Sequence, residues 1–219
     1  MIGIQSALKV EIELIRERMT GTRMECGGGL EFAVGNIGGT QLVTAAGGVG
    51  TARAATCAQA LIDLYHVESI IFCGVAGRLN SRLKVGDIII SREVLQCDHG
   101  VHGNRIQADE TLVRVTQEAC ANTVGDTSYV TGTVLTFDRA VLTRKKRTQL
   151  LKAYGADCVE MEGAAVGGVC AANDVPFVVL RAISDRAGFL ALLELRRNLR
   201  ASSRRVQEVV LELLSLLAE

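Results

Sequence analysis

Short apolar runs alternate along the chain with segments in which apolar residues recur every three or four positions. The run Phe177–Ser184 is nearly all apolar, which is typical of a strand buried on both faces. The spacing of Leu8, Ile12 and Ile15 is typical of a helix. This alternation predicts an α/β fold, a three-layer sandwich with a twisted mixed β-sheet. Because no linker, repeat or low-complexity tract interrupts the pattern, we expect one domain over residues 1–219.

The pattern predicts the following elements. The strands are Ile2–Ile4, Leu30–Asn36, Gln41–Ala46, Ser69–Cys73, Asp87–Val94, Ser128–Leu135 and Phe177–Ser184. The helices are Ala7–Arg18, Thr51–Tyr65, Asp109–Ala121, Thr143–Tyr154, Glu162–Ala172 and Leu190–Leu217, the last with a break near Ser202. In such a sheet, ligands bind beyond the carboxyl ends of the strands.

Two turns of small residues follow predicted strands. Gly47-Gly48-Val49-Gly50 precedes a helix, and it fits a structural tight turn as well as a ligand contact. It lacks the Gly-Lys-Ser/Thr of a P-loop, and Arg53 breaks the dinucleotide-binding fingerprint. Gly74-Val75-Ala76-Gly77 ends the strand Ser69–Cys73, where it fits either close packing or a flat ligand. Each turn leaves both interpretations open.

Acidic residues stand at two predicted strand ends. Glu160-Met161-Glu162 opens a helix of Gly and Ala, and two carboxylates suit the positive end of the helix dipole. Because the next ten residues carry no charge, we expect a buried helix that starts in a cleft. Asp185 fits a helix cap or a general acid. Arg181 and Arg186 would favour its ionised form if they pointed inward.

Composition and charge exclude several other functions. Lys+Arg and Asp+Glu each number 24, so the whole chain shows no electrostatic footprint for nucleic acid or an anionic membrane. The apolar runs are shorter than a membrane span needs. Seven cysteines without a Cys-x-x-Cys pair indicate reduced thiols and a cytoplasmic protein. The segment Cys97–His102 contains metal-ligand residue types in no recognisable zinc spacing, so we expect no metal and no cofactor.

The order of these motifs resembles the purine nucleoside phosphorylase and nucleosidase superfamily. The motifs include Cys-Gly-Val-Ala-Gly, Val-Glu-Met-Glu-Gly-Ala-Ala and Arg-Ala-Ile-Ser-Asp, and the resemblance runs from Ile2 to about Gly188. The most similar branch is that of the 5'-methylthioadenosine/S-adenosylhomocysteine nucleosidases. The resemblance implies a sheet that partly closes into a barrel, a small-molecule nucleoside substrate and a homodimer or larger homo-oligomer.

The resemblance also implies a role for each site residue. Asp185 matches the acid that protonates the purine, Glu11 the acid that activates water, and Glu162 the group that holds the ribose hydroxyls. The remaining substrate contacts match Met161 at the sugar, Val75, Ala76 and Gly77 beside base and sugar, Ser184 next to the acid, and Phe137 stacked on the base. No firm role follows for Glu160.

The chain departs from the family pattern at two places. Val75 stands where a serine is usual, and the segment from Arg186 to Phe189 is shorter than the loop that often covers the site. The 5' substituent of the nucleoside therefore stays open. The motif Met-Glu-Gly-Ala-Ala, which begins at Met161, also resembles that of futalosine hydrolases. The segment Thr136–Arg139 resembles superfamily members that are associated with hopanoid synthesis.

Three hypotheses follow. The first is hydrolysis of a purine nucleoside, adenine-type and 5'-modified, with Glu11 positioning the water. The second is a phosphorylase of the same superfamily, for which Arg53 and Arg78 are candidate phosphate ligands. The third is a non-catalytic nucleoside-binding protein or a nucleotide-binding oxidoreductase, against which the broken fingerprint counts.

Overall fold

The computed structural model describes residues 1–98, 101–123, 125 and 128–218, with the side chains of 98 and 101–104 outside that description. These residues form ten strands and six α-helices. The strands are β1 (Ile2–Ser6), β2 (Thr20–Gly27), β3 (Leu30–Ile37), β4 (Thr40–Ala46), β5 (Ser69–Arg78), β6 (Ile88–Asp98), β7 (Val101–Gln107), β8 (Tyr129–Thr136), β9 (Cys158–Glu160) and β10 (Phe177–Asp185). The helices are α1 (Glu13–Arg18), α2 (Thr51–Tyr65), α3 (Glu110–Thr123), α4 (Arg144–Tyr154), α5 (Gly163–Ala172) and α6 (Ala191–Leu216).

All ten strands belong to one mixed sheet, and five of them close into a barrel. The order is β10-β6-β8-β9-β5-β1-β4-β3-β2, and β7 pairs with the later part of β6, from Glu93 onward. β10 also pairs with β5 in parallel, which closes the ring β10-β6-β8-β9-β5. The other four strands extend from β5 as an open sheet. The barrel that the resemblance implies is therefore confirmed.

Two apolar cores cover the two faces of the sheet. Alternate residues of β10 point to opposite sides, with Val179 and Ile183 in one core and Leu180 and Ala182 in the other. α2 and α5 cover the first face, whereas α3 and α6 cover the second. A third, smaller cluster lies beneath α4. This arrangement confirms the predicted three-layer α/β fold.

The predicted helix Ala7–Arg18 is wrong in its first half. The chain forms a 3-10 turn at Lys9–Glu11 and only then the short α1. The carboxylate of Glu11 folds back onto the backbone N–H groups of Ala7 and Leu8, and this contact holds the turn. Glu11 thus lies on a turn next to the sheet, where its side chain is buried.

Three further predictions need correction. The segment Gly74–Gly77 is strand rather than turn, because β5 continues to Arg78 between β10 and β9. α6 is unbroken at Ser202, whose hydroxyl donates to the carbonyl of Ile183 at 3.1 Å, so this small side chain lets the helix pack onto β10. The edge strands β2 and β7 and the short buried strand β9 were not predicted.

The membrane-span prediction can be compared with the helices of the described part of the chain. None of these helices is both long enough and apolar enough to cross a bilayer.

Candidate active site

A cavity of about 190 Å³ lies where one edge of β5 changes partners. This edge pairs with β1 up to Phe72 and with β9 from Gly77 onward. Between these two pairings, residues 73–76 have no described strand on that edge, so their backbone groups need other partners. The carboxylate of Glu11 supplies one such partner, for the N–H of Val75. The charged residues that line the cavity are Glu11, Glu160, Glu162, Asp185 and Arg139.

Glu11 connects the 3-10 turn to the open part of β5. Its Oε2 accepts hydrogen bonds from the N–H groups of Ala7 at 3.1 Å and Leu8 at 2.8 Å, and its Oε1 accepts one from Val75 at 3.0 Å. Burial raises the pKa of Glu11, although the charge of Arg181 and these hydrogen bonds limit the rise. A raised pKa makes this carboxylate a stronger base than one at the surface.

Glu160, which lines the cavity, forms a buried ion pair with Arg181. Arg181 Nη2 lies 2.7 Å from Glu160 Oε2, and each side chain is only 2% exposed. The same oxygen accepts hydrogen bonds from the backbone N–H groups of Glu162 at 3.0 Å and Gly163 at 2.7 Å. Glu160 therefore fixes the beginning of α5. The sequence left it without a role, although an arginine inside the apolar run Phe177–Ser184 already indicated a buried partner.

Glu162 stands at the N-cap of α5 and projects into the cavity. Its Oε1 accepts a hydrogen bond from the N–H of Gly50 at 2.7 Å, which ties the turn Gly47–Gly50 to the site. Burial, reinforced by the negative charge of Glu160, raises the pKa of Glu162 to about 7. Near neutral pH the protonated and ionised forms of the Glu162 carboxyl group are therefore both populated.

Asp185 ends β10 and faces the same cavity. Its Oδ1 accepts a hydrogen bond from the N–H of Ala187 at 2.8 Å, and its Oδ2 lies 2.9 Å from the hydroxyl of Ser184. Ala187 adopts a φ of 46°, a conformation that alanine rarely takes. Burial raises the pKa of Asp185, while the two hydrogen bonds oppose the rise.

The two arginines near Asp185 in sequence do not act on it. Arg181 is paired with Glu160, and the exposed Arg186 lies 3.6 Å from Glu194 at the surface. The sequence left open whether these two arginines point inward and favour the ionised form of Asp185. In the structure both are paired with other carboxylates. A carboxyl group with a raised pKa and no adjacent cation retains its proton more readily than one beside an arginine.

The predicted substrate-binding residues lie together, with one exception. The structure brings Met161, Val75, Ala76, Gly77 and Ser184 to the cavity lining. A Cβ atom at Gly77 would lie 2.9 Å from Asp185 Oδ1, so a larger residue there would displace the carboxyl group.

Phe137 is the exception. Its ring lies in the cluster beneath α4, with Lys146 Nζ 4.5 Å from the ring centroid, and it does not line the cavity. Arg139, Ala140 and Val141 form the wall on that side instead. Within the described part of the chain, the cavity lining contains no aromatic side chain. The position of Phe137 gives no support to a stacking role.

The candidate phosphate ligands also lie elsewhere. Arg53 packs against Gly48 at a separate surface depression, and Arg78 donates to the carbonyls of Leu83 and Ser81. Arg139 is the one cationic side chain in the described lining, and it is mostly exposed. The lining therefore carries an excess of negative charge.

The segment Cys97–His102 contains residue types that can bind a metal ion, but residues 99 and 100 lie outside the described part of the chain. Among the residues that are described, no group of three or more His, Cys, Asp or Glu side chains is placed to hold a metal ion. The chemistry available at the cavity is that of carboxyl groups.

Comparisons with known proteins identify the family. The phosphorylase superfamily matches residues 1–215 of the chain. A 5'-methylthioadenosine/S-adenosylhomocysteine nucleosidase of Geobacillus kaustophilus is 32% identical over 99% of this chain and 97% of its own length. The nucleosidase of the same name from Colwellia psychrerythraea, solved with adenine, superposes with a TM-score of 0.94 at 27% identity, covering 99% of this chain and 95% of the other.

A futalosine hydrolase mutant of Helicobacter pylori superposes with a TM-score of 0.92 at 25% identity, covering 98% of both chains. The names of these relatives confirm the predicted class of reaction, cleavage of an N-glycosidic bond by water. This chain belongs to the phosphorylase superfamily and, within it, to the family of the 5'-methylthioadenosine/S-adenosylhomocysteine nucleosidases.

Proposed function

We propose that the chain hydrolyses the N-glycosidic bond of an adenine nucleoside with a 5'-thio substituent, as in 5'-methylthioadenosine or S-adenosylhomocysteine. One observation carries the mechanism: the buried carboxyl groups of Glu11, Glu162 and Asp185 come from three separate elements and line one cavity. The substrate class rests on the names of the relatives.

Asp185 acts as the general acid on the base side. Cleavage builds negative charge on the leaving purine, and protonation of the base, at N7 as the resemblance implies, removes that charge. Burial raises the pKa of Asp185, which favours the protonated form that this step requires. Such general acid catalysis contributes about 10²–10⁴-fold to the rate.

Glu11 accepts the proton of the attacking water. Three backbone N–H groups fix both of its oxygens, so the carboxylate is oriented before substrate binds. Its pKa is raised by burial, which strengthens it as a base. Water attacks the anomeric carbon as the bond to the base breaks, and the sugar leaves with a hydroxyl group.

Glu162 holds the ribose. In its ionised form it accepts hydrogen bonds from the sugar hydroxyls, and its charge stabilises the positive ribosyl group of the transition state. Met161 packs against the sugar from the same segment. Because the pKa of Glu162 is about 7, we expect kcat/KM to fall as the pH drops below 7.

The charge of the lining favours water over phosphate as the attacking group. Four carboxyl groups and one exposed arginine surround the cavity. Glu160 is balanced by Arg181, and Asp185 is protonated in the proposed mechanism, so Glu11 and Glu162 carry the remaining negative charge. A phosphate dianion at this place would meet these two carboxylates, with only the exposed Arg139 to offset them. A neutral water molecule meets no such repulsion.

The direct test is to incubate the protein with 5'-methylthioadenosine in the presence and absence of inorganic phosphate. We expect adenine and 5-methylthioribose at equal rates under both conditions. A requirement for phosphate, with a sugar 1-phosphate among the products, would overturn hydrolysis in favour of phosphorolysis.

A matched pair of variants tests the acid. We expect Asp185→Asn to lower kcat by about 10²–10⁴-fold with an unchanged circular dichroism spectrum. Asp138→Asn, at an exposed aspartate outside the cavity lining, serves as the control and should retain full activity. Normal turnover in Asp185→Asn would remove the proposed acid.

The aliphatic wall of the cavity is where the 5' substituent is expected to lie. The beginning of α6 contributes Ala191, Leu192 and Leu195 to this wall, so a helix stands where a longer loop is usual in the family. A thioether with an alkyl group suits such a surface. Assembly into a homodimer or larger oligomer and a cytoplasmic location stay predictions.

A further inference from the structure

Exposed apolar side chains are concentrated where α6 begins. Phe189, Leu190, Leu192 and Leu193 are 92%, 52%, 52% and 64% exposed. Single exposed leucines are ordinary on protein surfaces, but a contiguous group of this kind marks an interaction site. Leu192 also lines the cavity, so the group lies at the cavity mouth. We call Phe189, Leu190 and Leu193 the apolar ridge.

Cationic side chains surround the ridge on both sides of the mouth. On the α6 side, Leu193 is followed at helical spacing by exposed arginines. On the opposite side, the segment that carries Arg139 continues into the basic first turn of α4. The two sides meet where Arg147 Nη1 donates to the carbonyl of Arg186 at 2.9 Å. We call these cations the basic rim: Arg139, Arg144, Lys145, Lys146, Arg147, Arg186, Arg196, Arg197 and Arg200.

The rim concentrates positive charge in a chain that is neutral as a whole. Its nine cations share residues 138–147 and 186–200 with only two carboxylates, Asp138 and Glu194. Because Lys+Arg and Asp+Glu both total 24, the remainder of the chain has seven more carboxylates than cations. Because the two segments meet at the contact between Arg147 and Arg186, this positive charge is concentrated beside the apolar ridge and the cavity mouth.

We propose that this face docks on an anionic lipid bilayer. Apolar side chains enter the boundary between head groups and acyl chains, and surrounding arginines and lysines bind the anionic head groups. Charge complementarity selects this occupant. A second copy of the chain docked face to face would bring two basic rims together, and a nucleic acid would leave the aliphatic ridge in water.

The test is flotation of the protein with vesicles. One set contains phosphatidylcholine alone, and the other contains phosphatidylcholine with about one-third phosphatidylglycerol. We expect binding to the anionic vesicles to exceed binding to the neutral ones by roughly tenfold or more, and to weaken as salt is added.

Two double variants separate the contributions. Phe189→Ser with Leu193→Ser removes the ridge, and Arg196→Glu with Arg197→Glu reverses part of the rim. We expect each to lower anionic vesicle binding by roughly tenfold. The matched controls are Leu64→Ser, at an exposed leucine of α2, and Arg92→Glu, at an exposed arginine of β6. Both controls should bind as the unaltered chain does.

Several results would overturn the docking proposal. One is equal binding of the protein to neutral and anionic vesicles. Another is a loss of anionic vesicle binding in the control variants as large as that in the ridge and rim variants. If the protein does not bind vesicles and the ridge variant dissociates an oligomer in sedimentation velocity, the ridge is a subunit contact instead. Binding to labelled duplex DNA in place of vesicles would assign the rim to nucleic acid. Nucleoside hydrolysis without vesicles is measured separately, so failure of the reaction and failure of docking are distinguishable.

Discussion

The carboxyl group of Glu162 should lower the stability of the protein at neutral and alkaline pH. Its pKa is about 7 in the folded chain and about 4.5 in the unfolded chain, because folding buries it beside Glu160. The folded state therefore binds more protons than the unfolded state between these two pH values. The stability associated with this group is fully present below pH 4.5 and is lost as the pH rises through 7.

The magnitude follows from the shift of the pKa. A difference of about 2.5 pH units corresponds to about 3 kcal/mol at 1.36 kcal/mol per unit. Glu162→Gln replaces the carboxylate by a neutral side chain of the same shape, and its Oε1 can still accept the hydrogen bond from Gly50. We expect the variant to be more stable than the original chain by about 3 kcal/mol at pH 8, and nearly equal to it at pH 4.5.

The assay is urea unfolding of both proteins from pH 4.5 to 8, with kcat/KM measured on the same samples. Glu93→Gln is the matched control. Burial would raise the pKa of Glu93, but hydrogen bonds from Thr133 and Gln107 and the charge of Arg105 overcome this effect and lower it. Its substitution should therefore destabilise the protein at pH 8, which is the opposite sign, and the loss should persist down to pH 4.5 because the Glu93 carboxyl group stays ionised over this range.

Two outcomes would refute this reasoning about Glu162. One is a free energy of unfolding for Glu162→Gln that is lower than or equal to the original value at pH 8. The other is a stability difference that does not change with pH. A variant that becomes more stable while losing turnover would show that the site costs the fold stability.

Three further predictions concern the surroundings of the site. Gly77→Ala should lower kcat by about tenfold or more with little effect on the melting temperature, since its Cβ would lie 2.9 Å from the Asp185 carboxyl group; an unchanged kcat would contradict this. Glu160→Gln leaves Arg181 buried without its partner and should cost about 3–5 kcal/mol in urea unfolding, and adding Arg181→Met should restore part of the loss. Arg139→Ala should raise KM severalfold for S-adenosylhomocysteine, which carries a carboxylate, and leave KM for 5'-methylthioadenosine nearly unchanged; equal effects on both would exclude a charge contact.

Local sequence was a good guide to the longer elements that bury a face. The bounds of α2 agree with the predicted Thr51–Tyr65, and β10 ends one residue beyond the predicted Phe177–Ser184. β2 was missed because its residues are mostly exposed, so no apolar pattern marks it. Such an edge strand is held by pairing with β3, and that pairing is invisible in the local sequence.

Charge shows the same limit on a larger scale. The net charge of zero excluded a basic surface when the chain was treated as a whole. Folding places α4 beside the beginning of α6, and the contact between Arg147 and Arg186 joins two basic segments about forty residues apart in sequence. A sum over the chain contains no information about such clustering.

The sequence by itself determined the layered α/β fold and the reaction class, and it predicted three carboxyl groups that the structure brings to one cavity. These follow from the spacing of apolar residues and from short sequence motifs, and both can be recognised within a short stretch of sequence. Only the tertiary structure decided how those groups behave. Glu162 has a pKa of about 7 because folding buries it near Glu160, and Arg181 leaves Asp185 unaffected because it pairs with Glu160 instead. The free energy of protonating a carboxyl group depends on its burial and on charges a few ångströms away. Burial and the distances to those charges are established only when the chain folds and the barrel closes.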